Sequence, residues 1–281
     1  MYTLNCKGKL LAINQPLVMG IINATPDSFY NKGANASLKD LVALAAKMIA
    51  DGAAILDVGG QSTRPGSERI EWSKERDRVL PLIESIKVLH PDVIISIDTY
   101  HARVAEAAVQ AGAGIVNDIS AGTMDDELIA TVAALHVPYI CMHMKGRPET
   151  MQKEASYKDV VKEVLDFFIA KTAECTAAGI NDIIIDPGFG FGKTAAQNFI
   201  LLKQLPVFKM LDKPILAGLS RKATIYKTLG INVEEALNGT TVLNTIALVN
   251  GASVLRVHDV KEAVEAVKLF EAYEGNANLR M

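Results

Sequence analysis

The stretch SLKDLVALAAKMIADGAAILDVG, residues 37 to 59, joins a helical pattern directly to a strand pattern. Ser37 and Asp40 form a capping pair at the start of the helical part, and Gly52 supplies its stop. The apolar residues between them fall on one helix face: Leu38, Leu41, Val42, Ala45, Met48 and Ile49. The following run, AAILDVG, is continuously apolar instead of alternating, which is typical of a strand buried on both faces. The stretch therefore predicts an amphipathic helix followed by a strand of a parallel sheet.

The same two patterns recur along the whole chain. Strand patterns occupy residues 17–23, 53–59, 92–98, 113–119, 137–143, 182–188, 213–220 and 253–259. Helical patterns occupy residues 37–52, 72–89, 101–111, 125–135, 156–178, 195–210, 234–250 and 260–273. Eight β-then-α units in 281 residues predict the α/β class and a (β/α)₈ TIM barrel, because a doubly wound open sheet usually has fewer units.

The two ends of the chain fit the same architecture. Residues 1–15 alternate in polarity around Lys7, Gly8 and Lys9, which predicts an N-terminal β-hairpin covering the bottom of the barrel. No low-complexity linker interrupts the pattern, so residues 1–281 are predicted to form a single domain.

Composition excludes several classes of partner. The chain is 49% hydrophobic and 22% charged, with a formal net charge of -3 and a pI near 6.0, so it has no basic field for nucleic acid or an acidic membrane surface. No apolar run reaches about 18 residues and no basic start precedes a long apolar segment, so we expect a cytoplasmic protein without a membrane partner. Its cysteines, Cys6, Cys141 and Cys175, lack CxxC spacing, which argues against a disulfide framework or a zinc site.

The segment DIIIDPGFGFGKT, residues 182 to 194, resembles a phosphate-binding P-loop but lacks a required glycine. A P-loop has glycine five places before its Gly-Lys pair, and here that place is Pro187. Proline removes an amide donor and fixes φ. The alternative is that Asp186 closes a buried strand and that the glycines allow a sharp turn with a close approach of another group.

Polar side chains concentrate at the ends of the predicted strands, where βα loops of a barrel form the active site. Arg256 and His258 are two residues apart on one strand and therefore point the same way, as a clamp on an anion requires. An isolated aspartate or asparagine at such a place can simply cap the next helix. That explanation does not suit Asp98, Asn117, Asp186, Lys222, Arg256 and His258 together, because desolvated charges are costly unless they are paired or used. The other polar residues at the strand ends are Asn23, Asp57, Asp118, His143, Ser220 and Arg221.

Two βα loops are unusually long, polar and rich in glycine. Loop 1 spans residues 24–36 and loop 2 spans residues 60–71. Long loops of this composition are often mobile and functional. Arg64 on loop 2 could reach a phosphate, although an ordinary solvated loop is the simpler interpretation.

Eight motifs in order along the chain resemble those of the dihydropteroate synthase family: NATPDSF, GGQSTRPG, SIDT, VNDIS, MHMKGRPETMQ, DPGFGFGK, GLSRK and NGTTVLNTIALVNGASVLRVHDV. The resemblance covers essentially the whole chain. It implies a pterin-binding TIM barrel that joins 7,8-dihydropterin pyrophosphate to p-aminobenzoate, releasing pyrophosphate and making 7,8-dihydropteroate for folate. It also implies a homodimer and inhibition by sulfonamides.

The resemblance assigns roles to individual residues. It implies pterin contacts for Asp98, Asn117, Met142, Asp186, Gly218 and Lys222, and p-aminobenzoate contacts for Pro65, Phe191 and Ser220. Asn23 matches the ligand of a Mg²⁺ ion on the pyrophosphate, and Thr63, Arg64, Arg256 and His258 match groups around that anion. A catalytic role follows for Asp98, Asp186, Lys222, Arg256 and His258, through an SN1-like pterin cation.

Three positions depart from the family pattern, and two other functions stay open. Gln61 stands where Glu is common, YNKGANAS replaces the usual continuation of loop 1, and Arg147 stands where a smaller residue is often found. A non-catalytic pterin-binding paralogue would keep the pterin residues but lose pyrophosphate groups or loop 2. Another pterin-dependent barrel enzyme, such as a methyltetrahydrofolate methyltransferase, would need neither the STRPG loop nor an anion clamp.

Overall fold

The computed structural model describes residues 1–25, 37–62, 67–151 and 153–275. Its strands are β1 (Tyr2–Cys6), β2 (Lys9–Ile13), β3 (Leu17–Asn23), β4 (Ile55–Gly59), β5 (Ile94–Asp98), β6 (Ile115–Asp118), β7 (Tyr139–Met142), β8 (Ile183–Asp186), β9 (Leu216–Ala217) and β10 (Val254–Val257). Its α-helices are α1 (Leu38–Ala50), α2 (Trp72–Leu89), α3 (Ala102–Gln110), α4 (Leu128–Leu135), α5 (Val160–Ala177), α6 (Ala195–Lys203), α7 (Ala223–Leu229), α8 (Leu237–Val249) and α9 (Val260–Tyr273).

The predicted barrel is confirmed. Strands β3 to β10 form one eight-stranded sheet in the order β8-β7-β6-β5-β4-β3-β10-β9, with every pair parallel. An isolated parallel bridge between Ile185 and Ile215 joins the two edges, and the Ile185 amide donates to the Pro214 carbonyl over 3.0 Å. The sheet is thus a nearly closed barrel, with its helices packed outside.

The predicted N-terminal hairpin is also confirmed. Strands β1 and β2 pair antiparallel through a turn in which Lys7 and Gly8 both have positive φ, +54° and +87°. Such a two-residue turn matches the twist of a hairpin. Leu4, Cys6 and Ile13 of the hairpin pack on the first inward side chains of the barrel strands, in a cluster that includes Ile55, Ile94, Ile115, Ile140, Ile184, Leu216 and Val254. The hairpin therefore closes the bottom of the barrel and leaves the other end for the site.

The helices agree with the predicted pattern except around the seventh unit. Ser37 and Asp40 form the predicted capping box of α1. The single helix predicted over 195–210 is wrong, because α6 ends at Lys203 and a 3-10 helix continues from Leu205 to Leu211. Pro206 at the start of the second segment has no amide hydrogen to continue the α-helical ladder. The sequence pattern also missed α7, a seven-residue helix that immediately follows Lys222.

Candidate functional site

Charged side chains from different strand ends meet inside the mouth of the barrel. Asp57 at the end of β4 accepts hydrogen bonds on one oxygen from Arg256 Nε over 2.6 Å and from Asn117 Nδ2 over 3.0 Å. Arg256 of β10 also donates through Nη2 to Asp98 of β5 over 2.5 Å. Four of the predicted strand-end residues, Asp57, Asp98, Asn117 and Arg256, are therefore joined in one network.

Burial decides the electrostatics of this network. Burial raises the pKa of Asp98 to about 7, with Arg256 opposing the rise and Asp57 reinforcing it. Burial alone would lower the pKa of Arg256, but Asp57 and Asp98 outweigh it and raise that pKa, so the guanidinium stays charged. One arginine thus faces two carboxylates, and all three side chains are largely buried.

A second group of polar atoms surrounds Gly218. A Cβ built on Gly218 would lie 3.6 Å from Lys222 Nζ and 4.0 Å from Asp186 Oδ2, so the absent side chain leaves an open space between an ammonium and a carboxylate. Asp186 Oδ1 accepts from the Gly188 amide over 2.8 Å, which orients the carboxylate. Lys222 Nζ donates to the Phe189 carbonyl over 2.5 Å and lies 4.8 Å from the centre of the Phe191 ring.

The two charged groups beside Gly218 both have shifted pKa values. Burial raises the pKa of Asp186, while Lys222 and the Gly188 amide oppose the rise. Burial lowers the pKa of Lys222 to about 8, while Asp186 opposes the fall. Strongly shifted groups in one concave place are a common mark of a functional site.

Apolar side chains complete the wall. Met142 at the end of β7 packs with Tyr100 and Ile119, and the partly buried Phe191, Met124 and Met144 lie against them. This cluster is separate from the main core and from the cluster beneath the hairpin. The site therefore presents an apolar cluster next to a few fixed hydrogen-bonding groups, and Phe191 of this cluster lies beside Lys222. This combination suits a polar heterocycle.

The segment after β8 is not a P-loop. Gly188, Gly190 and Gly192 all have positive φ, at +68°, +86° and +62°. A Cβ on Gly188 would lie 1.9 Å from the His143 carbonyl oxygen, so the glycine permits the close approach expected from the sequence. Lys193, which would contact phosphate in a P-loop, is only 2% exposed and donates to backbone carbonyls.

The end of β10 faces the loop after β9. His258 Nδ1 lies 3.0 Å from Ser220 Oγ, and the His258 amide donates to the same oxygen over 3.2 Å. Arg221, between the site residues Ser220 and Lys222, makes a bidentate ion pair with Asp259 at 2.8 and 2.9 Å. This pair ties the two loops together, although Arg221 adopts a φ of +52° to make it.

The remaining predicted residues divide into two groups. Asn23 lies at the end of β3, half-buried at the barrel mouth. Thr63, Arg64 and Pro65 lie outside the described residues, as does most of loop 1. In the described part of the chain, no cluster of three His, Cys, Asp or Glu side chains could hold a metal ion.

The departures from the family pattern have different structural surroundings. Gln61 is buried; its side-chain amide donates to the Tyr100 hydroxyl, and its carbonyl oxygen accepts from the Ile70 amide over 3.2 Å. The bond to Ile70 joins the two ends of loop 2, and the bond to Tyr100 ties the loop to the residues after β5. Arg147 is exposed, and nothing in the structure explains its side chain.

The sequence analysis placed Asp57 at a strand end but did not select it as a site residue. The structure shows it fully buried, with Oδ1 lacking a partner among the described residues and Oδ2 holding Arg256 and Asn117. The available signal was a charged residue within the continuously apolar run AAILDVG. A signal of the same kind identified Asp186. Its partners could not be identified without the barrel.

The chain was compared with known proteins. The family model described as pterin binding enzyme matches residues 19–258. Dihydropteroate synthase of Escherichia coli (strain K12) is 43% identical over 268 residues, which cover 95% of this chain and 94% of that protein. None of the helices in the described ranges is long and apolar enough to cross a membrane.

Solved structures agree with this result. The Xanthomonas albilineans dihydropteroate synthase with 4-aminobenzoic acid has a TM-score of 0.90 and 39% identity, with 97% of this chain and 98% of that chain covered. The Yersinia pestis dihydropteroate synthase in a sulfonamide drug complex has a TM-score of 0.93 and 37% identity, with 98% of this chain and 100% of that chain covered.

Proposed function

The chain belongs to the pterin-binding enzymes and, among them, to the dihydropteroate synthase family, and we propose that it condenses 6-hydroxymethyl-7,8-dihydropterin diphosphate with p-aminobenzoate. The products are 7,8-dihydropteroate and pyrophosphate, which makes the chain a pterinylmethyl transferase of folate biosynthesis. The observation that carries the proposal is the position of the Asp186 carboxylate and the Lys222 ammonium beside Gly218, next to an apolar cluster.

The pterin ring matches the groups around Gly218. Its amino group and ring N–H are donors, and Asp186 Oδ2 is an acceptor while Oδ1 is held by the Gly188 amide. Its carbonyl and ring nitrogens are acceptors, and Lys222 Nζ is a donor. Asn117 and Asp98 would add polar contacts, and Met142, which packs with Tyr100 and Ile119, would lie against the ring. Donors and acceptors at fixed places give the orientation that the reaction needs.

p-Aminobenzoate would bind nearer the mouth. Phe191 offers an aromatic face, and Lys222 Nζ, 4.8 Å from its centre, links the two substrate places. Ser220 and Pro65 are the other proposed contacts. The related Xanthomonas albilineans enzyme with 4-aminobenzoic acid supports this choice of second substrate.

The pyrophosphate would lie between loop 1, loop 2 and the end of β10, with Thr63, Arg64, Arg256 and His258 around it. The donor set fits Mg²⁺, because Asn23 offers an amide oxygen at the mouth and Mg²⁺ usually keeps water and substrate phosphate as its other ligands. When bound there, the ion would neutralise negative charge that develops on the leaving group.

The chemistry requires little more than electrostatics and positioning. The carbon–oxygen bond to the diphosphate breaks and the leaving group takes the electron pair. The amine nitrogen then uses its lone pair to form the carbon–nitrogen bond and loses a proton to solvent. An aniline is neutral at pH 7, so no strong general base is needed. Asp186 and Asp98, when ionised, favour the positive charge on the pterin, and Arg256 and His258 favour the negative charge on pyrophosphate.

A homodimer is proposed with the function, and we also expect the enzyme in the cytoplasm. On α8, the apolar side chains of Val242, Ile246 and Val249 are 50%, 40% and 57% exposed, and Leu229 of the adjoining α7 is 54% exposed. An apolar face of this kind supports an interface between copies. Sedimentation of the purified protein tests it; a monomer at micromolar concentration would contradict it.

The test of the function is product formation by the purified protein with Mg²⁺. Pyrophosphate release should depend on p-aminobenzoate, and 7,8-dihydropteroate should appear in equal amount. Omission of each substrate in turn provides the control. Pterin binding in calorimetry without any dihydropteroate would show a binding protein, and would overturn the proposal.

A further inference from the structure

One buried cation in the site takes no part in the proposed reaction. Lys193 is 2% exposed, and its Nζ donates to three backbone carbonyls: His143 at 3.2 Å, Gly188 at 3.0 Å and Phe191 at 3.0 Å. An ammonium has three N–H donors, so all of them are used. No carboxylate among the described residues lies within the 4.0 Å of an ion pair with it.

A buried charge without a counter-ion is costly. Burial lowers the pKa of Lys193 to about 7, with Asp186 opposing the fall. A leucine or methionine would fill the same volume without that cost. The ammonium therefore has a role that an apolar side chain cannot fill, namely the donation of hydrogen bonds to the three carbonyls.

The three carbonyls belong to different parts of the pocket wall. His143 directly follows Met142 at the end of β7, and its amide donates to the Asp186 carbonyl over 2.9 Å. Gly188 donates to the Asp186 carboxylate. Phe191 carries the ring that lies beside Lys222. The Lys193 ammonium thus binds a carbonyl at the end of β7 and two carbonyls of the turn that contains Gly188, Gly190 and Gly192, called here the glycine turn.

We propose that Lys193 is a positioning residue that holds Met142, Asp186 and Phe191 in the arrangement that both substrates require. It acts through the backbone carbonyls and touches neither substrate. This role rests on the proposed function, since it assigns the pterin and p-aminobenzoate places to those three residues.

A second set of hydrogen bonds, made by Asn198, also holds the glycine turn in place. The Gly190 amide donates to Asn198 Oδ1 over 2.9 Å, and Asn198 Nδ2 donates to Thr224 Oγ1 over 3.1 Å. Asn198 is 2% exposed, and Thr224 is the second residue of α7, two positions after Lys222. The glycine turn is therefore held on one side to β7 by Lys193 and on the other side to the Lys222 loop by Asn198.

The test compares Lys193→Met with Lys203→Met, which removes an exposed lysine from the end of α6. We expect Lys193→Met to raise KM for both substrates about tenfold or more and to lower kcat as well, because the binding groups are then misplaced and Asp186 also acts in the reaction. Lys203→Met should match the wild type. A purely structural lysine would lower the active fraction, and so kcat, with KM unchanged; that result in a folded variant overturns the proposal.

Two further measurements keep the result interpretable. Lys193→Arg keeps a buried cation but cannot place three N–H groups at one point. It should fold and still raise both KM values; normal KM values would contradict the role. Calorimetry with 6-hydroxymethylpterin tests Lys193 separately from the reaction. If the wild type binds this pterin but forms no product, the proposed function fails, and equal affinity in wild type and Lys193→Met would then overturn the positioning role as well.

Discussion

Arg256 Nε donates to Asp57 Oδ2 over 2.6 Å, joining two residues that are 199 positions apart in the chain. Arg256 lies on β10 and Asp57 on β4, with β3 between them in the sheet. The same guanidinium binds Asp98 on β5. The positive charge of Arg256 is therefore opposed by two carboxylates before any anion binds. The same carboxylates fix the orientation of the guanidinium.

Asp57→Asn should weaken both the fold and the reaction. The substitution leaves Arg256 with one carboxylate instead of two, so we expect the free energy of unfolding to fall by about 2 kcal/mol. Turnover should fall roughly 10²-fold, since a small misplacement of Arg256 and Asp98 is costly in a positioned site. Urea unfolding and pyrophosphate release measure the two effects.

The double variant Asp57→Asn with Arg256→Gln tests whether the two side chains stabilise the fold through their mutual bond or independently of each other. If the two side chains act as a unit, the loss of stability in the double variant should be smaller than the sum of the single losses by about 0.5 kcal/mol or more. Additive losses would show that the bond between them contributes little.

Asp186→Asn should lower turnover about 10²-fold or more, because a neutral amide no longer favours positive charge on the pterin. Asp182→Asn is the matched control. Asp182 precedes β8 at the other end of the barrel, where it accepts from the Asn5 amide. The control should retain wild-type turnover in a steady-state assay. Near-normal turnover of Asp186→Asn would remove this carboxylate from the mechanism.

Glu75 makes stability depend on pH. Burial raises its pKa from 4.5 to about 8, although Thr99 Oγ1 donates to it over 3.1 Å. A raised pKa means that the folded state holds a proton which the unfolded state releases, so stability falls as pH rises from about 4.5 to about 8. Glu75→Gln removes this loss and should be more stable than the wild type by on the order of 3 kcal/mol at pH 8, but by much less at pH 5.

Thermal unfolding of wild type and Glu75→Gln across this pH range tests the prediction. Glu84→Gln, an exposed position on the same helix, should follow the wild-type curve. Parallel curves for wild type and Glu75→Gln would show that Glu75 does not titrate in this window.

Removal of Mg²⁺ should slow pyrophosphate release at least about tenfold, because the leaving group then carries unshielded charge. Added Mg²⁺ should restore the rate. Asn23→Ala should raise the Mg²⁺ concentration needed for half the maximal rate, while Asn14→Ala, exposed after the hairpin at the barrel bottom, should not. A full rate in the presence of EDTA would contradict the role of the ion.

Sulfonamides should compete with p-aminobenzoate. Both are anilines with a polar group opposite the amine, and both would lie against Phe191 and Lys222. The related Yersinia pestis enzyme has been solved in a sulfonamide drug complex. Initial rates at several p-aminobenzoate concentrations should give a raised KM with unchanged kcat. A drug effect that excess p-aminobenzoate does not reverse would place the inhibitor elsewhere.

The sequence alone was sufficient for the architecture. Continuous apolar runs of seven or eight residues between amphipathic segments specify buried parallel strands, and the number of units specifies the barrel. The same logic selected Asp98, Asn117, Asp186 and Arg256, because a charge at the end of a buried strand stands out from its neighbours. The hairpin was also predictable, since Lys7 and Gly8 supply its turn locally.

Only the tertiary structure shows which polar side chains of the site bind one another. Asp57 and Arg256 meet because β4 and β10 both pair with β3, in a parallel register that no local pattern encodes. Lys193 has the sequence context of a phosphate ligand, yet the glycine turn buries it against three carbonyls. Local propensity acts over a few residues, whereas pairing of buried charges depends on which distant atoms share a space without water.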